Sequence, residues 1–235
     1  MASTKEGNDI PHFLQGAAPR VSLTKADAAY AEIRSRILSC DLAPGEVIDQ
    51  EMFAAWLGSS TTPIREALRR LEAEQLIVLR AHSEVRVAPA SVDEFRELHA
   101  IRMGLEPLAA EVAASSATSG LVETLRGLVE SAGVKQAGES ELRGSRDFHR
   151  AIYAAAGNRT LTQILDSIWD RVGRYRVMLA GVGSVSACDS PEHRAMVKAI
   201  EARDAAETGR LMRQDLEESY ERLLPKLESA LDSYR

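Results

Sequence analysis

The stretch from Leu57 to Leu71 constrains the fold of this chain more than any other. Gly58 is suited to ending a helix, and the hydroxyl side chains that follow it, together with Pro63, are typical of the start of the next helix. Apolar residues then recur at helical spacing, at Ile64, Ala67, Leu68 and Leu71. The other face carries hydroxyl and guanidinium side chains, at Thr61, Arg65 and Arg69. This pattern predicts a helix that packs on a core with one face and enters the major groove of DNA with the other.

The residues on either side of this stretch complete a winged helix-turn-helix pattern. Upstream, Thr24 and Asp27 form a capping box for one helix, and Asp49 is a cap for a short second helix that ends at Gly58. Downstream, the apolar run 76–79 and the alternating run 85–87 flank a polar segment, which predicts a two-stranded hairpin. A hairpin directly after a helix-turn-helix is a wing, and the sequence Ala88-Pro89-Ala90 marks the linker that follows.

From Ser91 onwards the pattern is helical, which predicts an all-α bundle of six or seven helices. Helices are expected at 121–130 and at about 145–156, separated by a loop from Gly133 to Gly144. The later helices are expected to be bounded by the segment 181–184, by Ser190 and by Asp204. The predicted fold class is therefore mainly α, a winged helix-turn-helix with a small β-hairpin wing followed by this bundle.

Length and composition favour two compact units. The chain has 235 residues, of which 45% are hydrophobic and 27% are charged. We expect a disordered tail at residues 1–22, a DNA-binding unit at 23–88, a linker at 89–91 and a helical unit for effector binding and dimerisation at 92–232. The net charge of −6 argues against indiscriminate binding to nucleic acid, so that any contact with DNA must be local. Two distant cysteines and the lack of an apolar run of bilayer length predict a cytoplasmic protein with no membrane partner.

Several motifs together resemble those of a known family of regulators. The run from Ala31 through the Pro44-Gly45 turn to Thr62-Pro63-Ile64-Arg65-Glu66-Ala67-Leu68 resembles the winged-helix domain of GntR-family transcriptional regulators. The segment from Arg102 to Glu106, with Phe148-His149 and Glu192-His193, resembles the FadR-type C-terminal effector domain. The resemblance implies a homodimer that binds a pseudo-palindromic operator in double-stranded DNA. It also implies that a small carboxylate metabolite usually enters the helical unit and releases the operator.

The side chains expected to contact DNA are Ser60, Thr61, Thr62, Arg65, Arg69, His82 and Arg86. Two positions depart from the family pattern. Members generally carry arginine where this chain has Thr61, and an Arg-Gly pair at the wing tip where it has Ser83-Glu84. Arginine reads guanine with two hydrogen bonds, and Glu84 would bring a negative charge near a phosphate. We therefore expect an unusual or weakened operator preference, with Arg65 making more of the base contact.

The resemblance also indicates a metal site. Many FadR-type domains hold a divalent metal through an Asp or Asn, through a His four residues later and through two further His residues. The matching positions here are Ser145, His149, His193 and Asp215. His149, His193 and Asp215 are the possible ligands, and two imidazoles with one carboxylate suit Zn²⁺, Ni²⁺, Mn²⁺ or Fe²⁺, with a position open to a carboxylate effector. The alternative is a decayed site in which the histidines are hydrogen-bonded pocket residues, and spacing alone leaves both open.

A carboxylate effector requires a cationic partner, because a guanidinium binds a carboxylate through two parallel hydrogen bonds. The residues expected to bind the effector are Arg102, Ser145, Arg171 and Arg174, and Arg176 is a further arginine of the same group. The competing interpretation of each arginine is a surface residue or an ion-pair partner of Glu106 or Asp170.

The leading hypothesis is a ligand-responsive transcriptional regulator, expected to be a repressor and not an enzyme. A metal-dependent enzyme is one alternative, because two His and one carboxylate also occur in non-haem iron oxygenases. The sequence offers no obvious acid–base pair or nucleophile for it. The other alternative is an effector-binding module with degraded DNA binding, which the residues Thr61, Ser83 and Glu84 motivate.

Overall fold

The computed structural model of the chain describes residues 24–80, 84–132, 139–180 and 190–232, and the expected tail at residues 1–22 lies outside these ranges. The elements in chain order are α1 (Lys25–Leu38), α2 (Gln50–Trp56), α3 (Thr61–Ala73), β1 (Ile77–Leu79), β2 (Val85–Val87), α4 (Val92–Ser115), α5 (Ser119–Ala132), α6 (Glu139–Ala155), α7 (Arg159–Ala180), α8 (Pro191–Glu201) and α9 (Ala205–Asp232). This order confirms the predicted fold class. Every helix in the described ranges is too short or too polar to span a bilayer.

Caps set the ends of the first helices as predicted. The Thr24 hydroxyl accepts from the Asp27 backbone N–H at 3.0 Å, and the Asp27 carboxylate accepts from the Thr24 N–H at 3.0 Å. Asp49 caps α2 by accepting from two backbone N–H groups of its first turn. Gly58 follows α2 with φ of +57°, a left-handed conformation that glycine adopts without strain. Ser60 is the N-cap residue of α3, but its side chain makes no capping hydrogen bond, so packing must stabilise the start of this helix.

The apolar face of α3 lies at the centre of the N-terminal core. Its buried residues are those selected from the sequence, Ile64, Ala67, Leu68 and Leu71, and they pack with buried side chains of α1 and of the hairpin. The two strands pair in antiparallel fashion with Val78 opposite Arg86, and Val47 adds an isolated bridge to Arg86. The predicted wing is thereby confirmed, while residues 81–83 at its tip lie outside the described residues.

Helices α4–α9 confirm the predicted all-α bundle, with one boundary that differs. Because α6 begins at Glu139, the expected loop from Gly133 to Gly144 is wrong over its second half. Glu139 to Arg143 consists mostly of helix-favouring residue types, which outweigh the low helix propensity of Gly144. Residues 133–138 and the expected helix end at 181–184 lie outside the described residues.

The two longest helices, α4 and α9, approach each other closely in the bundle. Their contact uses small side chains, because Ala109, Ala110 and Ala113 of α4 are fully buried. Gly209 of α9 belongs to the same contact, since a Cβ atom at this position would overlap the side chain of Glu111. The close approach matters for the site because α4 and α9 each contribute a carboxylate to it.

An ion-pair network joins the two units. Arg34 of α1 pairs with Glu74, the residue that ends α3, at 3.2 Å, and it also pairs with Asp170 of α7. Arg146 of α6 donates to the other oxygen of Asp170 at 2.5 Å. The N-terminal unit, which contains α1–α3 and the hairpin, and the bundle are therefore joined through the shared carboxylate of Asp170.

Candidate metal centre and nucleic-acid interface

Three side chains that are far apart in the sequence converge inside the bundle. The Nε2 atoms of His149 on α6 and His193 on α8 lie 3.3 Å apart. Each Nε2 atom lies 3.2 Å from a carboxylate oxygen of Asp215 on α9. The structure thus brings together the three residues selected from the sequence as possible metal ligands, with their ligand atoms all within 4.8 Å of one another.

Local packing holds both imidazoles in place, and each histidine is only 1% exposed. Phe148 stacks on the His193 ring with 4.2 Å between the centroids. The Ser190 hydroxyl caps α8 by accepting from the His193 backbone N–H at 3.1 Å. Because Ser190 and Pro191 fix where α8 begins, they also fix the position of His193.

A buried carboxylate orients His149. Burial disfavours the charged form of Glu106 on α4, but the Arg102 charge and the hydrogen bond from His149 outweigh it and lower the pKa of Glu106 to about 2. A carboxylate only accepts, so His149 Nδ1, at 3.2 Å, and the Tyr153 hydroxyl both donate to Glu106. With one proton on Nδ1, the Nε2 atom of His149, which faces His193 and Asp215, can carry either a second proton that it donates to Asp215 or, in place of that proton, a metal ion.

The electrostatics of the cluster favour a cation. Burial opposes the charge on Asp215, yet hydrogen bonds from His149 and His193 hold the pKa of this carboxyl well below its usual range. Burial also lowers the pKa of His149, but its hydrogen bonds to Asp215 and Glu106 prevail and raise that pKa overall. The cluster therefore attracts positive charge, which protons or a divalent metal ion can supply.

The spacing of the cluster fits a small divalent ion. Ligand atoms at about 2.0–2.2 Å from a tetrahedral Zn²⁺ are separated from one another by about 3.3–3.5 Å. The observed separations are 3.3 Å between the imidazole nitrogens and 3.2 Å from each nitrogen to Asp215. Two histidines and one carboxylate leave a further coordination position for water or a ligand.

Ser145, one turn before His149 on α6, is buried beside an arginine. Arg176 Nη1 on α7 donates to the Ser145 hydroxyl at 3.3 Å. An aspartate at this position would bring a negative charge to the cluster, whereas a neutral hydroxyl does not. Ser145 therefore links the helix of His149 to a buried guanidinium, and its expected role in effector binding stays a prediction.

Arg102 lies next to the cluster as an ion-pair partner. Its guanidinium contacts Glu106, and it lies over the Trp169 ring at 4.7 Å from the centroid. This arrangement agrees with the competing interpretation from the sequence, in which Arg102 neutralises Glu106. The pairing leaves Arg102 less available for the carboxylate of an effector.

The contacts of Arg171 and Arg174 do not support their expected role at an effector site. Arg171 donates to Glu94 on α4 from Nε at 3.0 Å and from Nη2 at 2.7 Å. Arg174 donates from Nη1 to the Ala88 carbonyl at 3.0 Å, and its Nη2 lies 3.5 Å from Glu94. Both guanidiniums therefore use the carboxylate of Glu94, at the start of α4. Arg174 also holds the chain just before the linker through the Ala88 carbonyl.

The outer face of α3 is accessible to a partner. Thr62, Arg65 and Arg69 are exposed, with Ser60 and Thr61 at the start of the helix. Arg65 Nε donates to the Gln50 side chain at 3.3 Å, and no described residue binds its terminal nitrogens. Arg70, by contrast, lies over the Tyr30 ring at 3.9 Å and pairs with Asp27 at 2.9 Å. The Arg70 guanidinium is therefore engaged in the contact with α1.

The wing differs from expectation at Arg86. Glu84 pairs with Arg86 Nε, and Arg86 Nη1 donates to the Gly45 carbonyl at 2.9 Å. These contacts hold the guanidinium against the turn between α1 and α2, which weakens the expectation that it contacts a phosphate. His82, the other wing residue expected to contact DNA, lies outside the described residues.

Comparison with known proteins supports both the winged-helix unit and the helical bundle. Residues 25–87 match the model of the family described as "Bacterial regulatory proteins, gntR family", and residues 97–218 match the FCD domain. The chain belongs to the GntR family. Its relatives include the "HTH-type transcriptional repressor GlaR" of Escherichia coli, 27% identical over 210 residues that cover 83% of this chain and 94% of that protein. The "Probable D-xylose utilization operon transcriptional repressor" of Paenarthrobacter nicotinovorans is 32% identical over 168 residues, covering 68% and 71%.

Solved structures share the fold of this GntR-family chain. The structure of Escherichia coli McbR/YncC superposes with a TM-score of 0.70 at 22% identity, over 86% of this chain and 99% of that one. The matched families and relatives are transcriptional regulators and not enzymes. The hypothesis of a metal-dependent enzyme is thereby set aside.

Tyr153 and Glu106 are the residues of the site that reasoning from the sequence did not assign. Tyr153 lies four residues after His149, so helical spacing alone places both on one face and could have found it. Glu106 was expected only as a partner of an arginine. Its contact with His149 joins α4 to α6, which no local pattern predicts.

Proposed function

We propose that this GntR-family protein is a cytoplasmic, homodimeric transcriptional repressor that releases a pseudo-palindromic operator when a small organic acid binds at a divalent metal. The observation that carries this proposal is the convergence of His149, His193 and Asp215 in a chain that also exposes the arginine face of α3. The two relatives named as repressors support the direction of the regulation.

Residues 23–88 are proposed to bind DNA, residues 89–91 to link, and residues 92–232 to bind the effector and dimerise. Within the first unit, α3 enters the major groove and Arg65 makes the main base contact, because Thr61 is too short for a bidentate contact with guanine. Arg69 and the N-terminus of the helix contribute phosphate contacts. The pairing of Glu84 with Arg86 is consistent with a weak contribution from the wing.

The metal proposed for the cluster is Zn²⁺, Ni²⁺, Mn²⁺ or Fe²⁺, since all four accept imidazole and carboxylate ligands. When bound, such an ion supplies a Lewis-acidic position for the carboxylate of an effector. The chain itself contributes the orientation of the ligands. Glu106 keeps the proton of His149 on Nδ1, and the α8 cap fixes His193.

The proposed dimer uses the outer face of α4. Ile101, Leu108 and Val112 lie on one side of this helix and are 46%, 49% and 41% exposed. Gly104 lies between them and would allow a second helix to approach closely. A second copy of the chain covering this face would form a two-fold dimer with one α3 helix for each half-site of a pseudo-palindromic operator.

Element analysis and DNA binding on one preparation test the proposal. We expect about one equivalent of divalent metal per chain, lost on His149→Ala but kept on His99→Ala, a histidine outside the cluster. We also expect salt-sensitive, sequence-selective binding to DNA flanking the protein's own gene. A metal-free protein that binds this DNA would remove the metal from the proposal, and a protein without selective DNA binding would overturn it.

A further inference from the structure

A cleft of about 760 Å³ lies between α1 and the pair of helices α6 and α7. Its volume is in the range of about 300–1,000 Å³ that small-molecule sites occupy. Both units form its walls. Aromatic and apolar side chains make up part of this lining, namely Tyr30, Leu38, Trp169 and Val177.

Most of the charges in the cleft are already paired. Arg34 and Arg146 both contact Asp170, as described above, and Asp41 lies at the exposed rim. Arg176 is different, because it is only 4% exposed and no described carboxylate lies within ion-pair distance of it. Its Nη1 donates to Ser145, and its Nε has no hydrogen-bond partner in the part of the chain that the structure describes.

An unpaired guanidinium in a buried position is costly, because the charge has lost water without gaining an anion. Burial, reinforced by repulsion from Arg102, lowers the pKa of Arg176 to about 10, although Asp215 and Glu106 attract the guanidinium from beyond ion-pair distance. The Trp169 ring lies 5.3 Å from the guanidinium carbon and offers only its π face. A carboxylate would supply both the charge and the acceptor that Arg176 lacks.

We propose that this cleft binds a small monocarboxylic acid with an apolar body, whose carboxylate pairs with Arg176 and whose body packs against Trp169 and Tyr30. One guanidinium without a described carboxylate in ion-pair distance selects one carboxylate, and the apolar walls select against a compact polar acid such as citrate. This site is separate from the metal-bound effector position proposed above. The lining of the cleft includes none of the three cluster residues, whereas Trp169 contacts both sites, because it lines the cleft and its ring lies 5.1 Å from the ring of His149.

A ligand here would contact both units at once. Tyr30 and Arg34 belong to α1, while Trp169 and Arg176 belong to α7. Arg34 also contacts Glu74 at the end of the recognition helix. A ligand bound in the cleft would therefore change the position of the DNA-binding unit relative to the bundle.

Trp169 provides a direct probe, since the chain has only two tryptophans. In the full-length Trp56→Phe protein, which retains Trp169 alone, cyclohexanecarboxylate should change the tryptophan fluorescence in a saturable way. This acid does not absorb at the excitation wavelength of tryptophan, and its neutral amide, cyclohexanecarboxamide, is the matched control ligand. The acid should bind at least about tenfold more tightly than the amide, because only the acid forms a charge-assisted pair with Arg176.

Two glycines give a steric test that leaves the charges intact. Gly173 lines the cleft, and a Cβ atom built on it meets nothing within 4 Å. Gly173→Leu should therefore fold and abolish the fluorescence response by filling the cleft. Gly127→Leu on α5, where a Cβ atom also meets nothing within 4 Å, should leave the response unchanged.

Arg176→Gln should weaken cyclohexanecarboxylate binding about tenfold or more, and dialysis against EDTA should leave it unchanged. The proposal is overturned if the acid gives no saturable response, if the amide binds equally well, or if Gly173→Leu binds like the parent protein. Loss of the response on dialysis against EDTA would assign the ligand to the metal cluster instead. None of these results depends on whether the protein binds DNA.

Discussion

The buried carboxylate of Glu106 links an arginine, a histidine and a tyrosine inside the bundle. It accepts from Arg102, from His149 and from Tyr153, whose hydroxyl accepts in turn from Trp169 Nε1 at 2.8 Å. A carboxylate in this position fixes the tautomer of His149 and thereby the availability of its Nε2 atom.

Glu106→Gln should lower the affinity for the metal about 10- to 100-fold, because a neutral amide accepts less strongly from His149 Nδ1 and can also turn its NH₂ group towards it. Competition with a chromophoric chelator measures the change. Glu201→Gln is the control, since among the described residues Glu201 forms only an exposed ion pair with Arg126. Equal metal affinity in Glu106→Gln and the parent protein would contradict the role given to Glu106.

Arg65→Ala should weaken operator binding by about 1–3 kcal/mol, the range for a lost bidentate base contact. Arg210→Ala, on the exposed side of α9, is the matched control because the described partners of this arginine, Glu207 and Gln214, are both local. Fluorescence anisotropy with labelled operator compares the two variants. An isotherm that Arg65→Ala leaves unchanged would favour the module with degraded DNA binding.

The individual elements differ in how well the sequence predicts them. Helix α3 was predictable because its cap region, its buried stripe and its arginine face all lie within one short stretch. The start of α6 was not, because glycines at 133, 138 and 144 resemble a loop while the residues between them favour a helix. The metal cluster followed from the family pattern, whereas the partners of Arg171 and Arg174 depend on where Glu94 and Ala88 come to lie in the fold.

The exposed face of α4 leads to a prediction about assembly. Leu108→Glu should convert the dimer to monomers, because a second copy would have to bury the new carboxylate in an apolar contact. Val47→Glu, an equally drastic change at a residue 45% exposed in the other unit, should leave the dimer intact. Sedimentation equilibrium distinguishes the two, and a dimer that survives Leu108→Glu would place the interface elsewhere.

Across the whole molecule, Asp170 holds the DNA-binding unit against the bundle. It pairs with Arg34 from α1 and with Arg146 from α6, which also carries Ser145 and His149. A change around the cluster can therefore reach α1 through a short path of charged side chains. In the proposed dimer, an effector bound in the bundle would alter the spacing of the two recognition helices through this path.

Asp170→Asn should loosen this contact without affecting the metal. The amide cannot pair with two guanidiniums, so backbone hydrogen exchange in α1 should become faster while the metal content stays the same. Glu207→Gln, which removes a local pair on the surface of α9, is the control. Unchanged exchange in α1 would show that Asp170 does not hold the two units together.

The most direct test of the account is operator binding by metal-loaded protein in the presence of an organic acid that stabilises it. The acid should weaken operator binding by the wild-type protein about tenfold or more. His149→Ala should bind the same operator in the absence of the acid and should not respond when the acid is added. Equal weakening of both proteins by the acid would contradict control through the cluster of His149, His193 and Asp215.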